Sequence, residues 1–280
     1  MNRAELRLPT RVGHADWGDN QFRGYSVARD LAGHETITSL LVLGIVGRRL
    51  DENERLMLDD LATVTSATDP RIWPLKMVRV ASAYAGCGAA VAALTVYLEG
   101  APIARYAADA PTGHHAAGRA AQILVDLADA MLAGGNPDSD ADAILEGHCR
   151  RIVGDKGGPF GFGVSLRHRD ERIDLLAERV AARGRNELPY WRLFVNAAEI
   201  FWRLGSLRPN APVAMGAVLL DMGFTPAQIG PLMLAIGAPA FWANAFEGAE
   251  QAPACLRTLP ADCVRYVGPV PRSTPRAMPR

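Results

Sequence analysis

Apolar residues recur along this chain at helical spacing, and strict apolar–polar alternation hardly occurs, so the pattern predicts an all-α protein. ETITSLLVLGIVG (35–47) reads as a buried helix closed by Gly47. Asp51 caps the next one, where D-E-N-E forms a capping box with Glu54 and Leu56, Met57, Leu61 and Val64 make the apolar stripe. A long helix is expected over 74–100, rich in Ala and Gly, whose small side chains suit close backbone approach at a domain or subunit interface. HAAGRAAQILVDLADAML (115–132) predicts another, ended by Gly134-Gly135. Ser139 to Val153 predicts a further one, acidic in its first turn and carrying Arg150 and Arg151 in its last, as the dipole favours. Residues 188–205 place Trp191, Phe194, Ile200 and Trp202 on a wide apolar face. T-P-A-Q (225–228) puts Thr at an N-cap and Pro at the first helical position, starting a helix expected to run to about Gly248.

The chain has 280 residues, enough for one large or two modest domains. Hydrophobic content of 49% with 21% charged residues describes an ordinary globular protein rather than a disordered one. Thirty basic and thirty acidic residues cancel, so no global field favours nucleic acid or an anionic membrane, and any anion site must be a local cluster. Cys87, Cys149, Cys255 and Cys263 form no C-x-x-C pair and no metal-ligand spacing, so reduced thiols and no metal are expected. The N-terminal stretch has no apolar core of the kind a signal peptide needs, and the apolar windows near 83–98 and 231–243 are short or interrupted. A cytoplasmic, non-membrane protein is the expectation.

Four local clusters could carry chemistry. Gly113-His114-His115 precedes a helix, where free N–H groups favour an anion or a developing oxyanion, although a plain capping turn fits too. Gly161-Phe162-Gly163 runs into Arg167, His168, Arg169 and Arg172, which could hold carboxylate or phosphate or form a solvated face. R-P-N-A-P-V-A-M-G (208–216) is a Pro-bracketed turn opening a helix of small residues, and equally a connector. Asp69-Pro70-Arg71 feeds a helix on which Lys76 and Arg79 share a face.

In order and spacing these clusters resemble the citrate synthase superfamily, especially its short members of the citryl-CoA lyase type. R-G-Y-S-V-A-R-D-L-A-G (23–33), G-H-H-A-A-G (113–118), G-F-G (161–163) with D-E-R (170–172), R-P-N (208–210), G-F-T-P (223–226) and Y-V-G (266–268) match that family's landmarks collinearly from about Arg23 to Gly268. The resemblance implies a citrate synthase-like all-α homodimer, with a large domain (1–125 and 235–268), a smaller mobile domain (126–234) and a disordered tail (269–280). It also implies a cleft that makes or breaks a carbon–carbon bond between a CoA thioester and an oxo acid.

Carried over position by position, it assigns the family's first catalytic His to His115 or His114 and leaves His168 as a substitute for the second. It assigns substrate binding to Arg172 and Asn210, and the local clusters add Arg167, Arg79, Gly161, Phe162 and Gly163 as binding candidates. Where the family has its second His this chain has Val164, and where it has its catalytic Asp this chain has Pro212. Its ligand-binding Asp-His pair is Asp69-Pro70 here, and its late Arg falls near Gly237. Val and Pro neither donate, accept nor carry a proton. The expectation is an acyl-CoA or carboxylate ligand in an interdomain cleft with altered or weak lyase or transferase chemistry; the alternative is a non-catalytic pseudoenzyme serving as ligand sensor or partner subunit. No cofactor is expected beyond a CoA thioester as substrate, and no nucleic-acid or membrane partner.

Overall fold

The start signals act where the sequence puts them. Asp51 accepts the Glu54 amide at 2.7 Å, and Glu54 reaches back to the Asp51 amide at 3.2 Å, a reciprocal capping box. Thr225 and Gln228 form a second box with Pro226 in the first turn. Gly47, at φ 81°, closes the helix before Asp51. The computed structural model describes residues 10–66, 73–88, 91, 116–134, 141–154, 159–163 and 168–250. They form a mostly helical fold: α1 (Ile37–Val46), α2 (Glu52–Thr65), α3 (Trp73–Ala85), α4 (Ala116–Gly134), α5 (Ala141–Gly154), α6 (Arg172–Ala182), α7 (Pro189–Gly205), α8 (Ala211–Asp221), α9 (Pro226–Ile236) and α10 (Ala238–Glu250).

A small antiparallel meander precedes them, with β1 (Gly13–Asp16), β2 (Asp19–Phe22) and β3 (Tyr25–Ser26) in that order, leading into a π-helical turn, Val27–Leu31. Strands of four residues or fewer are too short to show period-2 alternation, which is why the hydrophobic pattern does not announce them.

The core is built around α8. Ala211, Val213 to Leu220 and Met222 are buried, so this helix is apolar on every side and has no solvent face. It crosses α4 where Ala117 and Ala121 meet Gly216; a Cβ on Gly216 would stand 3.1 Å from that of Ala121 and 3.2 Å from the Ala117 carbonyl. Helices α7 and α9 complete the packing, with α5 against α7, α2 against α6 and α1 against α9. The stripe expected on α2 holds with one adjustment: Met57, Leu58, Leu61 and Val64 are buried, and Leu56 is only half-buried.

Two expected long helices are each interrupted. The one over 74–100 breaks after Ala85, with Gly86 left-handed at φ 76° and Cys87, Gly88 and Val91 helical again beyond it. The one from 225 divides at Gly237, where the Ala240 amide turns back to the Gly237 carbonyl at 3.2 Å and Pro239 has no N–H to continue the ladder. The run Pro226–Glu250 is, at 25 residues, long and apolar enough to cross a membrane by length and composition. Here Ile229, Leu232, Met233 and Ile236 pack into the core instead.

Helices α3 and α10 pair apart from that core, around Val78 and Ala245 with Ala81, Cys87 and Phe241. Their backbones touch at Gly248, where a Cβ would lie 2.5 Å from the Arg79 carbonyl oxygen and 2.6 Å from Arg79 Cα. Arg79 then grips Glu247 with both terminal nitrogens at 2.7 Å. Because backbone cannot yield as a side-chain tip does, Gly248→Ala is expected to cost about 1–3 kcal/mol. Chemical denaturation would read that loss, and an unchanged midpoint would show that the two helices are free to separate.

Candidate functional site

The G-F-G segment is a tight loop clamped onto the connector between α7 and α8. Gly161 and Gly163 take φ of 94° and 131°, values that favour glycine. Phe162 is buried, its ring 4.4 Å from that of Phe201. On the connector side the Gly163 amide donates to the Arg208 carbonyl at 2.6 Å, and the Asn210 amide donates to the Gly161 carbonyl at 2.9 Å. Phe162 and Pro209 thus form an isolated antiparallel bridge, and Asn210 Nδ2 adds a bond to the Gly163 carbonyl at 3.2 Å. Two stretches 47 positions apart, G-F-G and R-P-N, are joined backbone to backbone.

Asp170 ties the third motif to the same place. Its carboxylate is buried and accepts from Arg172 Nε at 2.8 Å and Arg172 Nη2 at 2.7 Å. Oδ2 also accepts the Ala211 amide at 2.8 Å, satisfying the first N–H of α8 and placing a negative charge at that helix's positive end. Burial alone would push this carboxyl up, but the bonds from Arg172 and Ala211 outweigh it and hold Asp170 below the ordinary aspartate range. Pro212, next in the chain, costs α8 little, because a first-turn N–H has no intrahelical partner anyway.

The sequence-derived site residues therefore fall into three groups. Gly161, Phe162, Gly163, Asn210 and Arg172 are brought together. His168 lies on an exposed bend just before Asp170, and Arg79 sits in the α3–α10 pair, bonded to Glu247 and Asn244. His114, His115, Arg167 and Val164 lie outside the described residues. Arg172 is paired with Asp170 rather than free.

Neither neighbouring carboxylate stands ready as a general base. Asp170 has both oxygens engaged. Burial raises the Asp221 carboxyl, which fits a base, yet its oxygens accept the Tyr190 and Trp191 amides, both at 2.8 Å, and cap α7. Asp221 also ends α8, a helix of 11 residues, about 15 Å from the end that meets the loop. Periodicity gave no hint of the Asp170 cap, since a cap supplied by a segment some 40 residues away leaves no local spacing. Spacing put Trp202 on the apolar face of 188–205, but it is 45% exposed and stacks with Arg208, a contact that depends on the turn at Ser206, left-handed at φ 54°.

No protein-family model matches the chain, and no curated protein matches its sequence. Solved structures do match. The structure of citryl-CoA lyase from Hydrogenobacter thermophilus superposes with a TM-score of 0.73 over 96% of this chain and 98% of that one, at 18% identity. The chain has the citrate synthase-like fold of citryl-CoA lyase. Two ATP citrate lyase structures share the fold over 96% of this chain at 16% identity. They are the Methanosaeta concilii enzyme in complex with (3S)-citryl-CoA (TM-score 0.59) and the Methanothrix soehngenii enzyme with citrate and coenzyme A (TM-score 0.60). The chain spans 43% of the length of each of those two and nearly the whole of the citryl-CoA lyase.

Proposed function

We propose that this protein binds a CoA thioester, a carboxylate, or both beside the G-F-G loop, and that its carbon–carbon lyase or transferase chemistry is altered or weak rather than that of an ordinary citrate synthase. The observation that carries the binding half is the assembly of G-F-G, D-E-R and R-P-N into one clamped platform at the N-terminal end of α8. Asn210 supports it: its Oδ1 is buried there with no hydrogen-bond partner among the described residues, an acceptor that a donor on a ligand would satisfy. The weak-chemistry half rests on Val164 and Pro212, which stand where the resembling family has a His and an Asp.

A positioned acid or base contributes about 10²–10⁴-fold, and one oxyanion donor about 3–4 kcal/mol. With both gone, turnover about 10⁴-fold or more below that of an intact site is the expectation. The second reading, a non-catalytic sensor or partner subunit, is favoured by the engagement of Asp170 and Asp221, which leaves no nearby spare carboxylate among the described residues. Either way a homodimer is proposed, and a stable monomer in sedimentation would count against it.

The test is thermal denaturation against acetyl-CoA, citryl-CoA and citrate, followed by turnover assays with the ligands that bind. A ligand at 100 times its Kd adds about 2.7 kcal/mol, or on the order of 5 °C for a chain of this size. Absence of any shift with all three would remove the binding reading. Binding without product at any pH would select the sensor reading over the weak enzyme.

A further inference from the structure

Arg208 differs from several other arginines of the fold. Arg48, Arg79, Arg172 and Arg183 each grip a carboxylate. Arg208 is exposed, and among the described residues no carboxylate pairs with it. It is nonetheless held. Its guanidinium carbon lies 4.0 Å from the centre of the Trp202 ring, and Trp202 is itself 45% exposed at the end of α7. The backbone beneath is fixed on both sides: the Ser206 amide donates to the Trp202 carbonyl at 2.9 Å, the Leu207 amide to the Phe201 carbonyl at 3.3 Å, and the Arg208 carbonyl accepts from Gly163. Stacking on an indole leaves the guanidinium edge and its N–H groups directed outward, a fork suited to two oxygens of one anion.

We infer that Arg208, stacked on Trp202 at the rim of the G-F-G platform, anchors the phosphate groups of a CoA-type ligand and makes this chain prefer CoA thioesters over phosphate-free ones. The inference rests on the ligand reading above. Phosphate fits better than the carboxylates of a reacting acid because the fork is exposed. Reacting groups need water excluded, whereas the phosphate end of a long ligand stays at the surface. Arg208 is also joined through its own carbonyl to the loop, so anchoring the charged end there and holding the loop are one structural event.

Isothermal titration of acetyl-CoA, acetyl-pantetheine and citrate, into the wild-type protein and three variants, tests this. Arg208→Gln is expected to weaken acetyl-CoA by about 10- to 100-fold and to leave acetyl-pantetheine and citrate unchanged. Trp202→Leu keeps the charge but frees the side chain, and is expected to weaken acetyl-CoA by about two- to fivefold. Arg208→Lys is expected to fall between them, since it keeps a charge without the planar fork. Both side chains are exposed, so melting temperatures without ligand should not move.

If Arg208→Gln weakens acetyl-pantetheine as much as acetyl-CoA, weakens citrate instead, or weakens nothing, the phosphate role is overturned while the ligand reading stands. If the wild-type protein binds none of the three, both are overturned.

Discussion

Replacing Asp170 with Ala is expected to cost about 3–4 kcal/mol of stability and to loosen the loop and the helix start it joins. Removing one member of a buried ion pair costs about 3–5 kcal/mol, because the other charge is left unpaired. Arg172 keeps 31% of its side chain in water, which moderates that figure. Loss of an N-cap-like acceptor adds about 1 kcal/mol, since the Ala211 amide at the buried end of α8 has no other partner. Asp170→Asn keeps an acceptor but not the charge and should lose about half as much.

The pH dependence separates the two variants. Ionised Asp170 is favoured in the folded state, so its contribution is complete above the ordinary aspartate range and fades as pH falls through the lowered folded value. Urea midpoints measured from neutral pH downward should fall less steeply for Asp170→Asn than for the wild-type protein. Asp221 works in the opposite sense, since burial raises it and its contribution shrinks as pH rises through that range; it is common to both proteins and cancels in the comparison. A loss below about 1 kcal/mol for Asp170→Ala would mean that the clamp holds without this pair.

Gly161→Ala carries the second large effect, about 2–4 kcal/mol together with loss of ligand affinity. Two causes combine. At φ 94° an L side chain is strained, and the new Cβ would lie 2.8 Å from Val213 Cβ and 3.1 Å from Ala120 Cβ, both on core helices. Gly163 provides the control: its φ is 131°, but a Cβ there meets nothing within 4 Å, so Gly163→Ala should cost only the strain, about 1 kcal/mol. A Gly161→Ala/Val213→Ala double variant should regain part of the loss if crowding dominates. If Gly161→Ala and Gly163→Ala cost the same, crowding is not the cause and the loop is not wedged against α4 and α8 as described.

Much of this architecture was legible before any coordinates. Caps are local chemistry, so Asp51 with Glu54 and Thr225 with Gln228 began helices where their side chains could reach amides three residues on. Amphipathic spacing is local too, and it placed Trp191, Phe194 and Ile200 inside, although Trp202, expected on the same face, is exposed near the end of its helix. Helix ends that depend on competition were less legible. Gly86 and Gly237 each sit in stretches apolar enough to continue, and whether a glycine stops a helix depends on what packs beside it.

The site divides along the same line. The order of G-F-G, D-E-R and R-P-N, and the absence of a proton carrier at Val164 and Pro212, belong to the sequence alone, because residue identity decides what chemistry is available. That Asp170 is consumed as a cap, that Asp221 at the far end of α8 caps α7, that Arg79 turns to Glu247, and that Arg208 alone among the site's described arginines stands stacked and unpaired were decided by tertiary structure. A charge has no role until its partners within a few ångströms are known, and those partners come from segments tens of residues away.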